Sequence, residues 1–102
     1  MTMTLNDHRR RVDELDRELV RLLNRRAQVS IQLGELKRGA GLPLRDDARE
    51  HDIMQLAQRY NPGPLDQEAL EAIFQRILDE SRRVTSEILA QPQESNPAKA
   101  SA

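Results

Sequence analysis

The feature that most constrains this chain is a long stretch, residues 6–38, with no proline and with no glycine before Gly34. Its apolar residues recur in alternating steps of three and four, which predicts a single amphipathic helix. Asn6 or Asp7 can cap the start of this helix. The apolar residues that follow the rhythm are Val12, Leu15, Leu19, Leu22, Val29 and Leu33.

The predicted helix is too long for a compact monomer. It would measure about 48 Å, whereas a globular chain of this length has a radius of gyration of about 13 Å. A second apolar stripe runs along another side of the helix, and one chain with only 2% aromatic residues cannot easily cover both stripes. We therefore expect an obligate homodimer. The second stripe consists of Val20, Leu23, Ala27 and Ile31.

A loop over residues 39–45, with two glycines and a proline, ends the first helix and precedes a second one. Asp46 or Asp47 can cap the second helix, which the pattern extends to about Tyr60. Its predicted inward-facing residues are Ile53, Leu56, Ala57 and Tyr60.

Asp66 follows a proline-rich turn and can cap a third helix, which extends to about Leu89. No strand pattern and no repeat is visible. We therefore expect an all-α, three-helix domain over residues 1–90, followed by a disordered tail rich in Pro, Ser and Ala over residues 91–102. The predicted inward face of the third helix is Leu70, Ile73, Phe74, Ile77, Ser81, Val84 and Ile88.

Composition and charge exclude several classes of function. The 16 basic and 17 acidic residues leave a net charge of −1, which argues against a general binder of nucleic acids or membrane surfaces. The absence of cysteine excludes a disulfide scaffold, thiol catalysis and thiolate metal sites. Because no apolar signal core and no membrane-length segment is visible, we expect a cytoplasmic protein.

Two cations, Arg26 and Lys37, stand where the first apolar stripe predicts hydrophobic residues. The rhythm of three and four runs unbroken through both, between Leu22, Val29 and Leu33. An unpaired buried charge is costly, so each side chain needs either an anion or a route to water along the apolar surface. The two lie about 16 Å apart along the helix axis, within reach of one small-molecule pocket.

Other polar residues are predicted to face the same interior, namely Arg49 on the second helix and Ser81 on the third. Glu50 can join them or can cap the backbone, because Asp47 and Glu50 have capping-box spacing. Ser81 can likewise bond the carbonyl one turn back. These alternatives stay open on the residues alone.

This set of side chains suits a small dianion. Arginines bind carboxylates with two parallel hydrogen bonds, and a carboxylate accepts from a hydroxyl. Arg9 or Arg11 can add a further cation, whereas we expect His8 and His51 at the surface. No Ser/His/Asp set and no metal-ligand cluster is visible. A reaction that needs only orientation and fixed charge, without a cofactor, fits these residues.

Taken together, these residues resemble the all-helical class of chorismate mutases over about residues 5–89. Each match is weak alone, but their order and spacing are specific. The matching positions are Arg9 with Val12, Asp13, Leu15 and Asp16; Leu22, Leu23, Arg25 and Arg26; Lys37; Arg45, Asp46, Arg49 and Glu50; and Phe74, Ile77, Glu80 and Ser81.

The resemblance implies an intertwined homodimer whose long first helices pair antiparallel and which converts chorismate to prephenate on the route to phenylalanine and tyrosine. Arg9 would cross into the partner's site and, with Arg26, bind the substrate carboxylates. Lys37 would reach the ether oxygen and a carboxylate, and Glu50 would hold the ring hydroxyl. The polar wall would be completed by Asp46, Arg49 and Ser81.

One position departs from the family pattern. Members usually carry Gln or Glu four residues after the serine of the third helix, as a second donor to the ether oxygen, and here that residue is the shorter Thr85. Glu87 lies about 200° away around the helix and cannot replace it. We expect Thr85 to face the breaking bond, with a water or a shifted helix filling the gap, or with weaker activity.

Two other functions stay open. Isochorismate–pyruvate lyase uses the same fold on a sister substrate. The chain could also be a non-catalytic dimerisation or regulatory module, fused to or docked on another shikimate-pathway enzyme. The loop over residues 39–45 and the segment from Asp46 to Glu50 resemble the mutase pattern more closely than the lyase pattern.

Overall fold

The computed structural model describes residues 2–91. Three α-helices make up this part of the chain: α1 spans Leu5–Gly39, α2 spans Asp47–Tyr60 and α3 spans Gln67–Leu89. No strand occurs within it, so the predicted all-α class is confirmed. The predicted disordered tail lies outside the described residues, apart from Gln91. None of the three helices is apolar enough over a sufficient length to cross a membrane.

α1 starts one residue earlier than predicted and has a different cap. Thr4, rather than Asn6 or Asp7, is the N-cap, and its hydroxyl accepts from the Asp7 backbone N–H at 3.1 Å. The Asp7 carboxylate in turn accepts from the Thr4 N–H at 2.9 Å, and this bond holds the pKa of Asp7 below its ordinary value. The reciprocal capping box satisfies donors that the first helical turn leaves free.

α1 ends in a hydrogen-bonded turn that depends on Gly41. The Leu42 N–H donates to the Lys37 carbonyl at 2.8 Å, and the Gly41 N–H donates to the Arg38 carbonyl at 3.1 Å. These are the two bonds of a Schellman motif. Gly41 has a φ of 71°, a left-handed conformation that residues with a Cβ adopt at a cost.

α1 and α3 pack in parallel. Arg26 meets Ser81, and about three turns later Arg38 Nη1 donates to the Leu89 carbonyl at 2.7 Å. α3 has no basic residue in its own last turn, so Arg38 brings the positive charge that a helix C-terminus favours. Between these contacts, buried Gly34 lets the two helices approach closely.

α2 packs antiparallel to α3. Glu50, in the first turn of α2, pairs with Arg82 in the second half of α3. Near the other end of α2, Gln58 donates from Nε2 to the Gln67 carbonyl at 2.9 Å. α3 begins at the predicted cap, since the Asp66 carboxylate accepts from the backbone three residues on. α3 therefore lies between the other two helices.

The predicted inward faces of α2 and α3 are only partly right. Leu78 and Thr85 are the most buried residues of α3, at 6% and 4% exposure, and both lie one position along from the predicted Ile77 and Val84. The line of contact is displaced because α3 is covered by α1 on one side and by α2 on the other. The predicted inward residues that are exposed in the single chain are Leu56, Tyr60, Ile73 and Ile88.

The N-terminal part of α1 is uncovered. Every residue from 8 to 25 is exposed, although both predicted apolar stripes run through this segment. The radius of gyration is 18.4 Å and the longest extent is 62 Å, well above the roughly 13 Å radius of a compact chain of this length. The exposed large apolar residues of α1 are Leu5, Val12, Leu15, Leu19, Val20, Leu22, Leu23, Val29, Leu33 and Leu36.

Candidate active site

A cavity of about 290 Å³ lies where the C-terminal part of α1, the start of α2 and the second half of α3 meet. The cationic side chains of its wall outnumber the acidic ones by two, which favours a dianionic ligand. The cations are Arg26, Lys37, Arg49 and Arg82, and the acids are Asp46 and Glu50. The apolar part of the wall is formed by Val29, Leu33, Leu44, Ile53 and Leu78.

Arg26 is half-buried on α1, and its guanidinium is held from α3. Nη1 donates to Ser81 Oγ at 3.2 Å. Within residues 2–91, Arg26 has no carboxylate within ion-pair distance. Its other N–H groups therefore stay available to an anion in the cavity.

Lys37 is half-buried near the end of α1 and touches the loop that follows. The turn at Gly41 folds the chain back, so that Lys37 Nζ donates to the Leu44 carbonyl at 3.2 Å. An ammonium group has three donors, and this bond uses one of them. The cavity wall therefore carries a positioned cation with donors to spare.

The start of α2 brings its polar residues to the cavity through its cap. The N-cap is Asp46, which accepts from the Arg49 N–H at 3.0 Å, whereas Asp47 accepts from Arg45 Nε at 2.7 Å. The bond from Arg45 holds the pKa of Asp47 below its ordinary value. Asp47 therefore forms no capping box with Glu50, and Glu50 faces α3 instead.

Arg82 is a cation of the cavity wall that is not among the predicted site residues. Its Nη2 lies 3.5 Å from Glu50 Oε2 and 2.9 Å from Asp79 Oδ1. A hydrogen bond from Gln75, and after it the one from Arg82, hold the pKa of Asp79 below its ordinary value. Arg82 Nε is buried and has no hydrogen-bond partner in the part of the chain that the structure describes.

Thr85 lines the cavity with an unusual combination of contacts. Its Oγ1 is buried and, among the residues described, has no hydrogen-bond partner. Its methyl group lies against Gly34, where an added Cβ would come within 2.5 Å of Thr85 Cγ2. The glycine therefore lets Thr85 pack closely between α1 and α3 at the wall of the cavity.

The structure gathers the predicted site residues on this one wall, with one exception. Arg9 is not part of it and lies in the exposed part of α1. No group of three or more His, Cys, Asp or Glu that could hold a metal occurs between residues 2 and 91. The predicted residues that line the cavity are Arg26, Lys37, Asp46, Arg49, Glu50, Ser81 and Thr85.

Sequence reasoning missed Ser30, Gly34 and Arg82 as cavity residues. A signal for Arg82 was present, since it follows Leu78 by four positions and precedes Thr85 by three, the spacing of one helical face. The adjacent Arg83 makes the pair look like a charged surface run. Small residues such as Ser30 and Gly34 carry no comparable signal.

Comparison with known proteins shows which family has this sequence and fold. Residues 8–86 match the family described as chorismate mutase type II. The bifunctional chorismate mutase/prephenate dehydratase of Aquifex aeolicus is 37% identical over 78 residues, covering 72% of this chain but only 22% of that protein. The chorismate mutase of Methanocaldococcus jannaschii is 26% identical over 100 residues, covering 94% of this chain and 98% of that protein.

A solved structure agrees with the fold. Chorismate mutase (form II) from Thermus thermophilus superposes with a TM-score of 0.79 at 30% identity, covering 87% of this chain and 98% of that chain. The chain thus matches whole proteins in two cases, and about a fifth of the length of the bifunctional relative. On the family match and the shared fold, this chain belongs to the type II chorismate mutase family.

Proposed function

We propose that this chain catalyses the rearrangement of chorismate to prephenate. The observation that carries the proposal is the pair of half-buried cations, Arg26 and Lys37, on the wall of one cavity with an excess of positive charge. Chorismate carries two carboxylates, and arginine binds a carboxylate through two parallel N–H groups. The family match supports the same substrate.

The reaction needs neither a nucleophile nor a proton transfer. A carbon–oxygen bond of the ether breaks while a carbon–carbon bond forms in the same molecule, and negative charge grows on the ether oxygen. Lys37 would donate to that oxygen with an N–H that the Leu44 carbonyl does not use. One preorganised donor of this kind stabilises a transition state by about 3–4 kcal/mol.

The other residues of the wall would orient the substrate in its compact, chair-like conformer. Ser81 holds the Arg26 guanidinium for a carboxylate, and Glu50 accepts from the ring hydroxyl. The apolar wall packs against the ring and limits the access of water. Holding the reacting carbons close together lowers the entropic part of the barrier.

We further propose that the protein is a homodimer in which Arg9 enters the partner's cavity. Two apolar stripes run through the exposed residues 8–25, and their burial against a second copy would contribute about 25 cal/mol per Å² of apolar surface. An antiparallel pairing of two α1 helices would carry Arg9 of one chain toward the cavity of the other. Arg9 would then add a second arginine for the substrate carboxylates.

The product of this reaction would be consumed by another enzyme of aromatic amino-acid biosynthesis. The name of the Aquifex relative joins chorismate mutase to prephenate dehydratase in one protein. That combination supports the proposal that prephenate made here passes to an enzyme of the same kind, either fused or separate.

The test follows the loss of chorismate absorbance with purified protein and identifies the product. Prephenate supports the proposed function. Formation of pyruvate with an aromatic acid from isochorismate, without prephenate from chorismate, would show lyase activity instead. If a folded protein turns over neither substrate, the chain is a non-catalytic dimerisation or regulatory module.

Arg26→Ala provides the matched test of the site. We expect it to lose nearly all turnover, because Arg26 would bind a substrate carboxylate. Circular dichroism should show intact helices, because removing a partly buried cation that has no counter-ion among the described residues is neutral or favourable for stability. Arg76→Ala is the control, since the Arg76 side chain is 78% exposed on α3. A normal kcat/KM in Arg26→Ala would show that Arg26 is only structural.

A further inference from the structure

Asp79, Arg82 and Glu50 form a line of charges from the surface to the cavity. The Asp79 side chain is 50% exposed, whereas those of Arg82 and Glu50 are 22% and 20% exposed. Both carboxylates face the same nitrogen, Arg82 Nη2, at 2.9 Å and 3.5 Å respectively. The guanidinium is therefore anchored from the surface side and extends toward Glu50.

Glu50 depends on this one cation. Among the ion pairs of the described residues, Arg82 is the group that pairs with Glu50. A mostly buried carboxylate that loses its counter-charge is strongly destabilised and tends to move toward solvent. Arg45, the other cation at this end of α2, is bound to Asp47 at 2.7 Å. Within the described residues, no second cation thus holds Glu50 in place.

We propose that Arg82 is a positioning residue that holds the Glu50 carboxylate toward the cavity for the ring hydroxyl of the substrate. The proposal rests on the proposed function, because it assigns Arg82 to the substrate class named there. Arg82 acts through Glu50 and does not touch the reacting atoms. Arg82 Nη2 contacts both carboxylates, at 3.5 Å from Glu50 and 2.9 Å from Asp79. The contact with Asp79 fixes the position of the guanidinium, which in turn fixes the position of Glu50.

The consequence for catalysis lies mainly in substrate binding. The ring hydroxyl takes no part in bond breaking, so a carboxylate that accepts from it contributes about equally before and during the reaction. Loss of such uniform binding raises KM more than it lowers kcat. A displaced Glu50 should therefore weaken the binding of chorismate and leave most of the turnover rate at saturation.

The experiment is a double-mutant cycle on the full chain, with the wild type, Arg82→Gln, Glu50→Gln and the double variant assayed with chorismate. We expect Arg82→Gln to lower kcat/KM at least about tenfold, the scale of one charge-assisted hydrogen bond, chiefly through KM. When Arg82→Gln is made in the Glu50→Gln variant, kcat/KM should change less than about twofold, because position 50 then has no carboxylate for Arg82 to hold. Arg82→Lys should restore part of the loss.

The matched control is Arg83→Gln, the same substitution one residue along. Arg83 pairs with Glu80 and Glu87 on the exposed face of α3, at 2.8 and 2.9 Å, so its loss should leave kcat/KM unchanged. An equal loss from Arg82→Gln in both Glu50 backgrounds would overturn the proposal. It would show that Arg82 binds the substrate itself, or that it is needed only for folding.

Failure of the proposed function would be recognised separately. A wild-type protein that turns over no chorismate would refute that function, and the role of Arg82 would then be decided by high-resolution crystal structures of the wild type and Arg82→Gln. A Glu50 carboxylate displaced from the cavity in the variant supports positioning by Arg82. An unmoved carboxylate would overturn it, whatever the substrate is.

Discussion

At the scale of single residues, Thr85 combines a methyl group packed against Gly34 with a buried hydroxyl that has no partner in the described part of the chain. A buried polar group without a hydrogen bond costs about 1–3 kcal/mol. Thr85→Val keeps the shape and removes that group. We expect its free energy of unfolding to rise by about 1 kcal/mol, measured by urea denaturation. We also expect kcat/KM to fall in steady-state kinetics, because valine cannot hold a water that bridges the hydroxyl to the substrate.

The two measurements separate two roles of the hydroxyl. A gain in stability with unchanged kinetics would show that the hydroxyl does not face the substrate. An unchanged or lower stability would show that Oγ1 is already satisfied in the free protein.

Thr85→Gln tests the departure from the family pattern at the same position. A longer side chain with an N–H donor should reach the ether oxygen that the threonine hydroxyl does not reach. Because such a donor acts mainly in the transition state, kcat should rise about tenfold, with a smaller change in KM. Unchanged or reduced kcat in a folded variant would contradict the placement of Thr85 beside the breaking bond. Lys37→Ala should be close to inactive with either residue at position 85.

The residue scale also shows what a sequence can reveal of a site. Arg26 and Lys37 could be predicted because each occupies a position where the helical spacing of apolar residues calls for a hydrophobic side chain. Both line the cavity. Arg82 is harder to recognise, because the adjacent Arg83 makes the pair look like a charged surface run even though Arg82 shares a helical face with Thr85. That Thr85 Oγ1 is buried without a hydrogen-bond partner among the described residues is likewise visible only in the folded chain.

At the scale of helices, Gly34 sets how closely α1 approaches α3. An alanine there would place a Cβ 2.5 Å from Thr85 Cγ2, and 3.2 and 3.3 Å from Leu44 and Leu89 side-chain atoms. We expect Gly34→Ala to lower the free energy of unfolding by about 1–3 kcal/mol, because overpacking outweighs the better helix propensity of alanine. Thermal and urea unfolding measure the change.

Thr85→Ser supplies the control, because it removes Cγ2 and keeps the hydroxyl. In that background Gly34→Ala should be neutral or stabilising, since the two leucine tips can shift by a few tenths of an ångström. An equal destabilisation in both backgrounds would mean that the contact with Thr85 does not limit the approach of the helices.

The capping box of α1 makes a prediction about pH. Because the pKa of Asp7 is lowered in the folded chain, chiefly by the bond from the Thr4 N–H, the ionised carboxylate stabilises the first turn. This contribution is complete above the ordinary pKa of an aspartate and is lost as the pH falls through the lowered value. The difference in Tm between the wild type and Asp7→Asn should be constant above about pH 5 and vanish in more acidic solution. A difference that persists at the lowest pH would contradict this account.

Helix boundaries could be predicted from the sequence to within a residue, whereas caps and faces were less certain. Thr4 was missed because its partner at the third helical position is Asp7, not the Glu or Gln of the usual capping box. The predicted buried face of α3 is wrong by one position, because the pattern counts Ile73 and Ile88 as inward although both are exposed in the single chain. Periodicity finds apolar residues, but it cannot tell which neighbour covers them.

At the scale of the whole molecule, the proposed dimer predicts complementation between two defective chains. Arg9→Ala and Lys37→Ala should each be nearly inactive as pure proteins. If Arg9 acts in the partner's site, a mixed dimer has one site with both defects and one with none. After the two proteins are unfolded together and refolded, about a quarter of all sites should be intact, and activity should return to about that fraction.

No recovery from a mixture that light scattering shows to be dimeric would place Arg9 in the site of its own chain, or outside any site. The pure dimer itself should have a mass of about twice 11.7 kDa. A folded, active monomer at micromolar concentration would refute the architecture.

The uneven cover along α1 has a further consequence for local opening of the chain. This helix has 35 residues, and those from 8 to 25 are exposed throughout. Arg26 is the first of its described residues to be hydrogen-bonded to α3. Helical segments without tertiary cover are only marginally stable in water. Amide protons before Arg26 should therefore exchange with deuterium at rates that fall as protein concentration rises, if the proposed dimer covers this segment. Amide protons after Arg26 should exchange at rates set by the local opening of the chain's own fold. One continuous helix would thus show two exchange regimes, with their border at the edge of the cavity.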